Sequence, residues 1–459
     1  MSTRLPSISA SWRDLQGVFR NKALSEEFER LEARYKVVDQ AALFSRLVNM
    51  STAAEEPFHR WIRYREGYAG ELVKEIIRRY PVDAARFYLM DPMCGSGSSL
   101  VAAREQGIAS VGLDVNGYAV LASNVKGYPY TKDDVSKIRR SVHRFAASNL
   151  KTAKPNEIRS EISKYFPPRN FDVLCSIYEW VNQIKTPFVR DFFTLATLAI
   201  LEDCSNRKKD GNGLATRPSP IIDPKDRMQK QLGIMLEDIE RKSYDRVVFA
   251  AARDFSALRL SDVEKVVSGA TGKKLGTIIF SPPYANSFDY FESYKLELVF
   301  GGFTTVKLMN SARERLIRNY RITKPRPVAK PLSLVEMISS EILSRVPEKE
   351  RETGVKDGRT RLVPNMLRGY FEDMSIVLEQ GYRSLARNGM MHIVVDQSAY
   401  VGTPIPTDLI LASIGEDVGF KVEGLISCRR ANTSGQQLRK FPYLKELLRE
   451  SIISLRKLK

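Results

Sequence analysis

The sequence predicts an α/β fold: a mostly parallel sheet with helices on both faces, interrupted by an inserted, mainly helical region. The run at 86–90 is typical of a strand, the segment at 100–107 is typical of a helix that ends at glycine, and the run at 110–113 is again strand-like. A strand, a helix and a strand in this order form a β–α–β unit. The two strands of such a unit pair in parallel through a right-handed crossover.

The composition is that of a globular protein with a large positive excess. The chain has 459 residues and a net charge of +18, and hydrophobic residues make up 43% of it. Apolar runs are too short for a membrane helix, and the N-terminus lacks the apolar core of a secretory signal, so we expect a cytoplasmic protein. Four scattered cysteines and three histidines argue against a disulfide framework or a metal site. The charge favours a polyanionic partner or reflects an inert basic surface, and composition alone does not separate the two.

The remaining elements are assigned in chain order. Amphipathic helices are expected before residue 79, and helical stretches around a polar loop at 205–213 suggest an insertion into the sheet domain. Strand character returns at 246–250 and 276–280, a basic stretch is expected to be irregular, and a buried strand is predicted at 390–395. The predicted units are 1–127 (N-terminal helices and the first half of the sheet domain), 128–245 (inserted, mainly helical), 246–303 (second half of the sheet domain), 304–361 (basic, irregular insertion) and 362–459 (C-terminal part of the sheet domain).

The first candidate site is the loop that follows the strand at 86–90. Asp91 ends the strand, and Gly95-Ser96-Gly97 makes a tight loop that opens a helix, where free backbone amides can meet a ligand. Asp114, at the end of the next strand, can accept both hydroxyls of a ribose. A carboxylate before the loop would repel a pyrophosphate and suits an ammonium group. S-adenosylmethionine has a ribose and an ammonium group and no phosphate, so it matches; an ordinary strand-to-helix turn is the alternative.

The second candidate site is the turn Ser281-Pro282-Pro283-Tyr284, directly after an apolar strand. Two prolines cannot lie inside a central strand, so the chain must leave the sheet there in a rigid turn at the edge where α/β proteins bind ligands. Methylation of an exocyclic amine needs such a turn, because the lone pair of that nitrogen is delocalised into the base. The Pro282 carbonyl and the Ser281 hydroxyl can accept the two amine protons, while Tyr284 stacks on a flipped base. A purely structural Pro-Pro turn is the alternative.

Together, residues 91–97 and 281–284 resemble the amino-directed DNA methyltransferases that use S-adenosylmethionine. Weaker similarities are the block 57–67, which in that family closes over the methionine part of the cofactor, the ribose-binding strand end at 111–116, and the segment 252–255, whose acid contacts the adenine amino group. The resemblance implies a Rossmann-like methyltransferase sheet, double-stranded DNA as partner, and one cofactor, S-adenosylmethionine. The cofactor-binding positions it implies are Trp61, Asp91, Pro92, Met93, Cys94, Gly95, Gly97, Asp114, Val115, Asp254 and Phe255, and the catalytic ones are Ser281, Pro282, Pro283 and Tyr284.

Two features of the motifs refine this resemblance. The core motifs lie roughly 190 residues apart, with the cofactor half first, which resembles the family's α arrangement and makes 128–245 the candidate for reading DNA sequence. Ser281 resembles the cytosine-N4 enzymes, whereas aspartate is commoner among adenine-N6 enzymes, so cytosine N4 is favoured and adenine N6 is the alternative. Met93 stands where the family usually has an aromatic residue. Carbon-5 methylation needs a cysteine nucleophile, usually in a Pro-Cys dipeptide, and the sequence has none.

A basic stretch follows the catalytic turn and is expected to hold phosphates near the flipped base, with a solvated charged face as the alternative. Its candidate DNA contacts are Arg313, Arg315, Arg318, Arg321, Lys324 and Arg326. The expected function is a site-specific DNA methyltransferase of the prokaryotic cytoplasm, associated with the nucleoid, for which a restriction endonuclease or defence proteins are candidate partners. An RNA base-amine methyltransferase and a catalytically decayed DNA-binding subunit are the other readings.

Overall fold

The fold was analysed in a computed structural model that describes residues 18–49, 55–64, 67–210, 213–217, 222–242, 249–286, 288–318, 332–431 and 435–459. The strands are β1 (Val38–Asp39), β2 (Phe87–Asp91), β3 (Ser110–Asp114), β4 (Arg207–Asp210), β5 (Gly213–Thr216), β6 (Ala250–Asp254), β7 (Lys274–Phe280), β8 (Met390–Asp396), β9 (Ser398–Tyr400), β10 (Thr403–Ile405), β11 (Lys421–Arg430) and β12 (Arg449–Arg456). The helices are α1 (Lys22–Tyr35), α2 (Ala41–Phe44), α3 (Gly70–Arg79), α4 (Ser98–Glu105), α5 (Gly117–Gly127), α6 (Lys132–Ala146), α7 (Glu157–Ser160), α8 (Pro168–Asn182), α9 (Pro187–Ala199), α10 (Pro224–Arg241), α11 (Leu260–Thr271), α12 (Tyr290–Ser293), α13 (Lys295–Phe300), α14 (Met309–Arg313), α15 (Ser333–Thr353), α16 (Gly358–Arg361), α17 (Val363–Ser384), α18 (Thr407–Val418), α19 (Gly435–Lys440) and α20 (Leu444–Leu447).

Eight of these strands form one central sheet in the order β1-β11-β12-β8-β7-β2-β3-β6. The strands from β8 to β6 pair in parallel, and β12 runs antiparallel to both of its neighbours. The chain builds the sheet outward from β2 through β3 to β6, and then returns to the other side of β2 with β7. The predicted α/β class with a mostly parallel sheet is therefore confirmed.

Alternate residues of the central strands pack into two separate helical layers. Met90 on β2 and Ile278 on β7 belong to a core that includes side chains of α1, α11, α17 and α18. Their neighbours Leu89 and Ile279 belong to a second core with α2, α3 and α4. Because successive side chains of a strand point to opposite faces, strands covered on both sides are largely apolar, as the buried runs of β2, β7 and β8 are, with His392 on β8 a buried polar exception.

The segment between β3 and β6 has its own core. Aromatic and aliphatic side chains of α6, α8, α9 and α10 pack together and also contact α12 and α13, which follow β7. The polar stretch expected as a loop at 205–213 instead contains the antiparallel pair β4 and β5. Lys209 on β4 is buried and paired with Glu297 on α13 and with Glu202, so a charged side chain, rather than an apolar one, anchors this hairpin. An apolar pattern in the sequence therefore does not mark this hairpin.

Two further predictions differ from the structure. The strand predicted at 246–250 is observed as β6 at Ala250–Asp254, while 246–248 lie outside the described residues. Since β6 is an edge strand, polar side chains at its end are tolerated, and the apolar run does not mark it. The basic stretch 304–361, predicted to be irregular, contains the 21-residue helix α15, whose buried positions recur every three or four residues. The buried apolar side chains are Leu334, Val335, Ile338, Ile342 and Val346.

No helix in the described ranges combines the length and the apolar character that crossing a membrane requires.

One buried lysine predicts a measurable effect on stability. Lys126 on α5 is 1% exposed, its Nζ atom has no hydrogen-bond partner among the described residues, and burial lowers its pKa to about 7. Between about pH 7 and the ordinary lysine pKa the unfolded chain holds a proton that the native protein lacks, so stability rises with pH across this window. We expect Lys126→Met to raise the free energy of unfolding at pH 7 by roughly 1–3 kcal/mol and to flatten that rise, measured by chemical denaturation from pH 7 to 10. An unchanged pH dependence would contradict the assignment.

Candidate functional site

The candidate site lies where the two halves of the sheet meet. β2 and β7 are parallel neighbours, with Met90 opposite Ile278, so the loop after β2 and the turn after β7 leave the sheet side by side. The chain continues from β2 toward β3 and from β7 toward β8, in opposite directions. Such a reversal of strand order opens a crevice at the carboxyl ends of the strands, and α/β proteins bind ligands in this crevice.

A pocket occupies this crevice and is walled by the segments that follow four parallel strands. The glycine loop follows β2, Asp114 ends β3, Phe255 follows β6, and the Ser-Pro-Pro turn follows β7. The lining residues are Tyr64, Pro92, Met93, Gly95, Asp114, Val115, Asn116, Phe255, Ser256, Ala257, Ser281, Pro283, Tyr290, Arg315, Leu316 and Ile317. Six of the predicted cofactor-binding positions and two of the predicted catalytic ones are therefore brought together in one pocket.

Asp114 joins the ends of β2 and β3 at this pocket. Its two carboxylate oxygens accept hydrogen bonds from the backbone amides of Gly95 and Asn116, each at 2.9 Å. Burial still raises the pKa of Asp114 to about 6, because the amides offset only part of the cost of removing a charge from water. The carboxylate faces the pocket, where it can accept further hydrogen bonds from the hydroxyls of a ligand.

The glycine loop requires its second glycine for two independent reasons. Gly97 has φ of 85°, a left-handed conformation that other residues adopt at a cost. A Cβ atom at this position would also lie 2.9 Å from the backbone of Ser123 on α5. Gly97 therefore lets α4 begin directly against α5, and its contribution to the site is the path of the loop.

Asp91 organises the loop from beneath. One carboxylate oxygen accepts from Ser99 at 2.5 Å and from the Tyr68 hydroxyl at 3.2 Å, and the other accepts from the Met93 amide at 3.1 Å. Asp91 is 2% exposed and does not line the pocket, and burial raises its pKa to about 7. The sequence predicts that Asp91 contacts a ligand ammonium group directly. In the structure its carboxylate instead holds the loop on α4.

Two other predicted cofactor contacts also point away from the pocket. The Trp61 indole nitrogen donates to Asp238 at 2.8 Å, and the ring packs against Phe58 and Phe192. The Cys94 side chain is buried and closely approaches Gly112 on β3. Each therefore supports the wall, as a small buried cysteine in a tight loop commonly does.

Tyr64 lines the pocket and is not among the predicted cofactor-binding positions. It belongs to the same block as Trp61, and its ring lies over Gly95 and stacks on Tyr294 with centroids 4.7 Å apart. The block contains several aromatic residues, and the sequence does not show which of them faces the pocket. In the structure Trp61 is buried against Asp238 and Tyr64 faces the pocket. Residues 65–66, the end of the block, lie outside the described residues.

Asp254 and Arg315 form an ion pair at the rim of the pocket. Asp254 is the last residue of β6, and one of its oxygens lies 2.5 Å from the Arg315 guanidinium. Phe255, the next residue, lines the pocket, whereas Asp254 does not. An adenine contact by Asp254 would therefore form beside its ion pair with Arg315 or replace that pair.

The Ser-Pro-Pro-Tyr turn separates the pocket from a second, larger cavity. Ser281 and Pro283 line the first pocket, Pro282 is buried between them, and Tyr284 lines the second cavity. That cavity has a volume of about 1010 Å³ and contains polar and aromatic side chains, among them Asn286, Gln397 and Tyr400. The turn thus presents one face to each cavity.

Two of the described basic residues after α13, Arg313 and Arg318, lie in buried ion pairs. Arg313 is buried and paired with Asp289 and Glu292, and Arg318 is buried and paired with Asp373 and Glu372. These pairs differ from the expected DNA contacts, because the carboxylates occupy guanidinium donors that a phosphate would need. The other expected contacts at positions 321, 324 and 326 lie outside the described residues.

Within the described part of the chain, no group of three or more histidine, cysteine, aspartate or glutamate side chains is arranged to hold a metal ion.

Comparison with known proteins gives relatives along nearly the whole chain. The Type II methyltransferase M.BsoBI of Geobacillus stearothermophilus is 24% identical over 95% of this chain and 93% of its own length. The Type II methyltransferases M.AvaI of Nostoc sp. and of Anabaena variabilis are each 26% identical over 92% of both chains. No family model matches the chain. Among solved structures, the rRNA methyltransferase aviRa from Streptomyces viridochromogenes aligns over 85% of both chains with 8% identity and a TM-score of 0.30, a value too low to inform function.

The raised pKa of Asp91 predicts a pH-dependent contribution to stability. Between the ordinary aspartate pKa near 4 and about pH 7 the native protein holds a proton that the unfolded chain has lost, so this contribution falls as pH rises. We expect Asp91→Asn to remove that fall. The difference in free energy of unfolding, wild type minus variant, should decrease by on the order of 2–4 kcal/mol between pH 4 and pH 7.5, measured by urea denaturation. Parallel curves for the two proteins would show that Asp91 titrates normally.

Proposed function

We propose that this protein is a site-specific DNA methyltransferase that transfers the methyl group of S-adenosylmethionine to the exocyclic amine of a flipped base, with cytosine N4 as the favoured target. The observation that carries the proposal is the pairing of β2 with β7. It places the Ser281 and Pro283 side of the catalytic turn in the same pocket as the glycine loop and Asp114. The Type II methyltransferases that align with nearly the whole chain support methyl transfer.

The first pocket suits S-adenosylmethionine by the chemistry of its walls. Asp114 offers carboxylate oxygens to the ribose hydroxyls, Phe255 offers an apolar surface to the adenine ring, and the Gly95 backbone permits close approach. The Tyr64 ring packs over the glycine loop at Gly95 and adds an aromatic surface to the pocket. When bound, the cofactor supplies an electrophilic methyl group on a positively charged sulfur.

The catalytic turn has the groups that activate an amine. The Ser281 hydroxyl and the Pro282 carbonyl can each accept one proton of the exocyclic amino group, which turns its lone pair out of the plane of the base. Both acceptors lie on a turn whose prolines restrict its backbone, so they need little reorganisation during the reaction. Tyr284 provides a ring on the side of the second cavity, where the flipped base would stack.

DNA is the proposed partner, and the region between β3 and β6 is proposed to read its sequence. This region has its own core, so its surface can vary without disturbing the sheet. Its hairpin, β4 and β5, packs beside α12, which directly follows the catalytic turn. A restriction endonuclease that cuts the same site is a proposed functional partner, and the cytoplasm is the proposed location.

The target base is decided by nucleoside analysis. Purified protein with labelled S-adenosylmethionine is expected to transfer methyl groups to unmethylated phage DNA and not to bulk RNA. Mass spectrometry of the digested product should then give N4-methylcytosine. N6-methyladenine would leave the proposed enzyme class intact and replace the base, whereas transfer to RNA alone would replace the substrate.

Cofactor binding is expected to depend on Asp114 and on pH. Loss of a carboxylate–ribose contact costs roughly 1.5–3 kcal/mol, so Asp114→Asn should raise the cofactor Kd about 10- to 100-fold at pH 8 in calorimetry. Because the pKa of Asp114 is raised to about 6, wild-type affinity should increase as the pH rises from 5 to 8. The variant should lose most of that increase.

The matched control for this prediction is Tyr284→Ala, on the other face of the catalytic turn. It should keep the cofactor Kd within about twofold of wild type while lowering turnover, since Tyr284 lines the second cavity. Equal loss of cofactor affinity in both variants would show that the two cavities are not separate sites.

A further inference from the structure

We propose that Glu450 is a positioning residue for Tyr284: the carboxylate at the start of the C-terminal strand fixes the ring on which the flipped base would stack. This inference rests on the proposed function and extends it to a residue outside the sequence motifs. Tyr284 donates its hydroxyl hydrogen to Glu450 Oε1 at 2.9 Å, across 166 residues of sequence. The ring is therefore held at both ends, by the proline turn at its Cα atom and by Glu450 at its hydroxyl.

Glu450 is itself held from the side opposite Tyr284. The Arg429 guanidinium donates to its second oxygen, Oε2, at 2.5 Å. The two residues are direct cross-strand partners on β11 and β12, where side chains on one face approach closely. Glu450 is 2% exposed, so this charge-assisted bond is shielded from water and leaves the carboxylate little freedom to rotate.

The register of the sheet places this pair beside the cavity. Glu450 on β12 pairs with Asp396 on β8, and β8 is the parallel neighbour of β7, from which the catalytic turn leaves. Asp396 and Tyr284 both line the second cavity. The strand β12, paired with β11, thus reaches the site through the contact of Glu450 with Tyr284. Neither strand belongs to the two loop motifs.

The physical consequence is pre-organisation of the stacking surface. A tyrosine ring free at its hydroxyl can tilt about its side-chain torsions, and a stacked base would tilt with it. The exocyclic amine would then move away from the acceptors of the turn, and misplacement of about 1 Å can cost up to about 100-fold in rate. Fixing the hydroxyl removes this motion before the base arrives.

The test is a double-mutant cycle on turnover with unmethylated phage DNA. We expect Glu450→Ala and Tyr284→Phe each to lower kcat about tenfold and to leave the KM for DNA and the cofactor Kd within about twofold. A ring that meets only the flipped base affects the step after duplex binding, whereas general loss of structure would change all three quantities. The double variant should be little worse than the more severe single variant, since both substitutions remove the Tyr284–Glu450 hydrogen bond.

Two further variants complete the design. Glu450→Gln keeps an acceptor oxygen and is expected to remain within about threefold of wild type. Glu446→Ala removes a nearby exposed glutamate whose partner is Arg430, and it should leave kcat unchanged. Should Glu450→Ala lose its fold, Tyr284→Phe alone decides, because wild-type kcat in that variant would overturn the proposal.

Failure of this inference and failure of the proposed function give different results. Active wild-type enzyme with independent, multiplicative effects of the two substitutions would overturn the positioning role and leave the enzyme class standing. Wild-type protein without methyl transfer to any DNA would remove the enzyme class. In that case the positioning role would be overturned together with the enzyme class. Non-additive changes in Tm among wild type, the two single variants and the double variant would then show that the hydrogen bond is a structural contact alone.

Discussion

The parallel pairing of β2 with β7 is the constraint on which the site depends. The whole inserted region lies between these strands in sequence, yet Met90 and Ile278 lie opposite each other in the centre of the sheet. Both strands are covered on both faces, so a shift in their register would place apolar side chains against the wrong layer. The position of the glycine loop relative to the proline turn is therefore set by the burial of the whole sheet, and the intervening insertion packs in a core separate from the two that cover the sheet.

Burial at the carboxyl edge of the sheet explains the behaviour of the acidic residues. Asp91 and Asp114 end adjacent strands, and both have raised pKa values because they lie in a poorly hydrated crevice. They differ in what faces them: Asp91 is enclosed by Ser99 and Tyr68, whereas Asp114 opens to the pocket. Two equivalent strand-end carboxylates thus have separate uses, one organising the loop and one available to a ligand.

The sequence predicts the sheet and places the candidate site at its carboxyl edge, and it does not predict the direction of individual side chains. Apolar strand runs and the two loop motifs predicted the crevice, because these features depend on local pattern and on the general topology of parallel sheets. The place of Trp61 and Cys94 in the motifs predicts that they contact the cofactor. In the structure both side chains pack away from the pocket, and Tyr64 faces it. Arg313 and Arg318 looked like an exposed basic stretch, although their carboxylate partners come from other elements. Such pairings are made by tertiary contacts that no local pattern contains.

The proline turn gives this arrangement its chemical meaning. In the proposed reaction, a methyl donor and a nucleophilic amine must approach along one line, and each needs a binding surface of its own. The turn at 281–284 offers one face to each cavity from one short, rigid segment, since Ser281 and Pro283 face the first pocket and Tyr284 faces the larger cavity. A flexible partition would allow the two ligands to move independently. Two prolines on one side and the Tyr284–Glu450–Arg429 chain on the other restrict that motion, so the precision of the site is built into the sheet edge before either ligand binds.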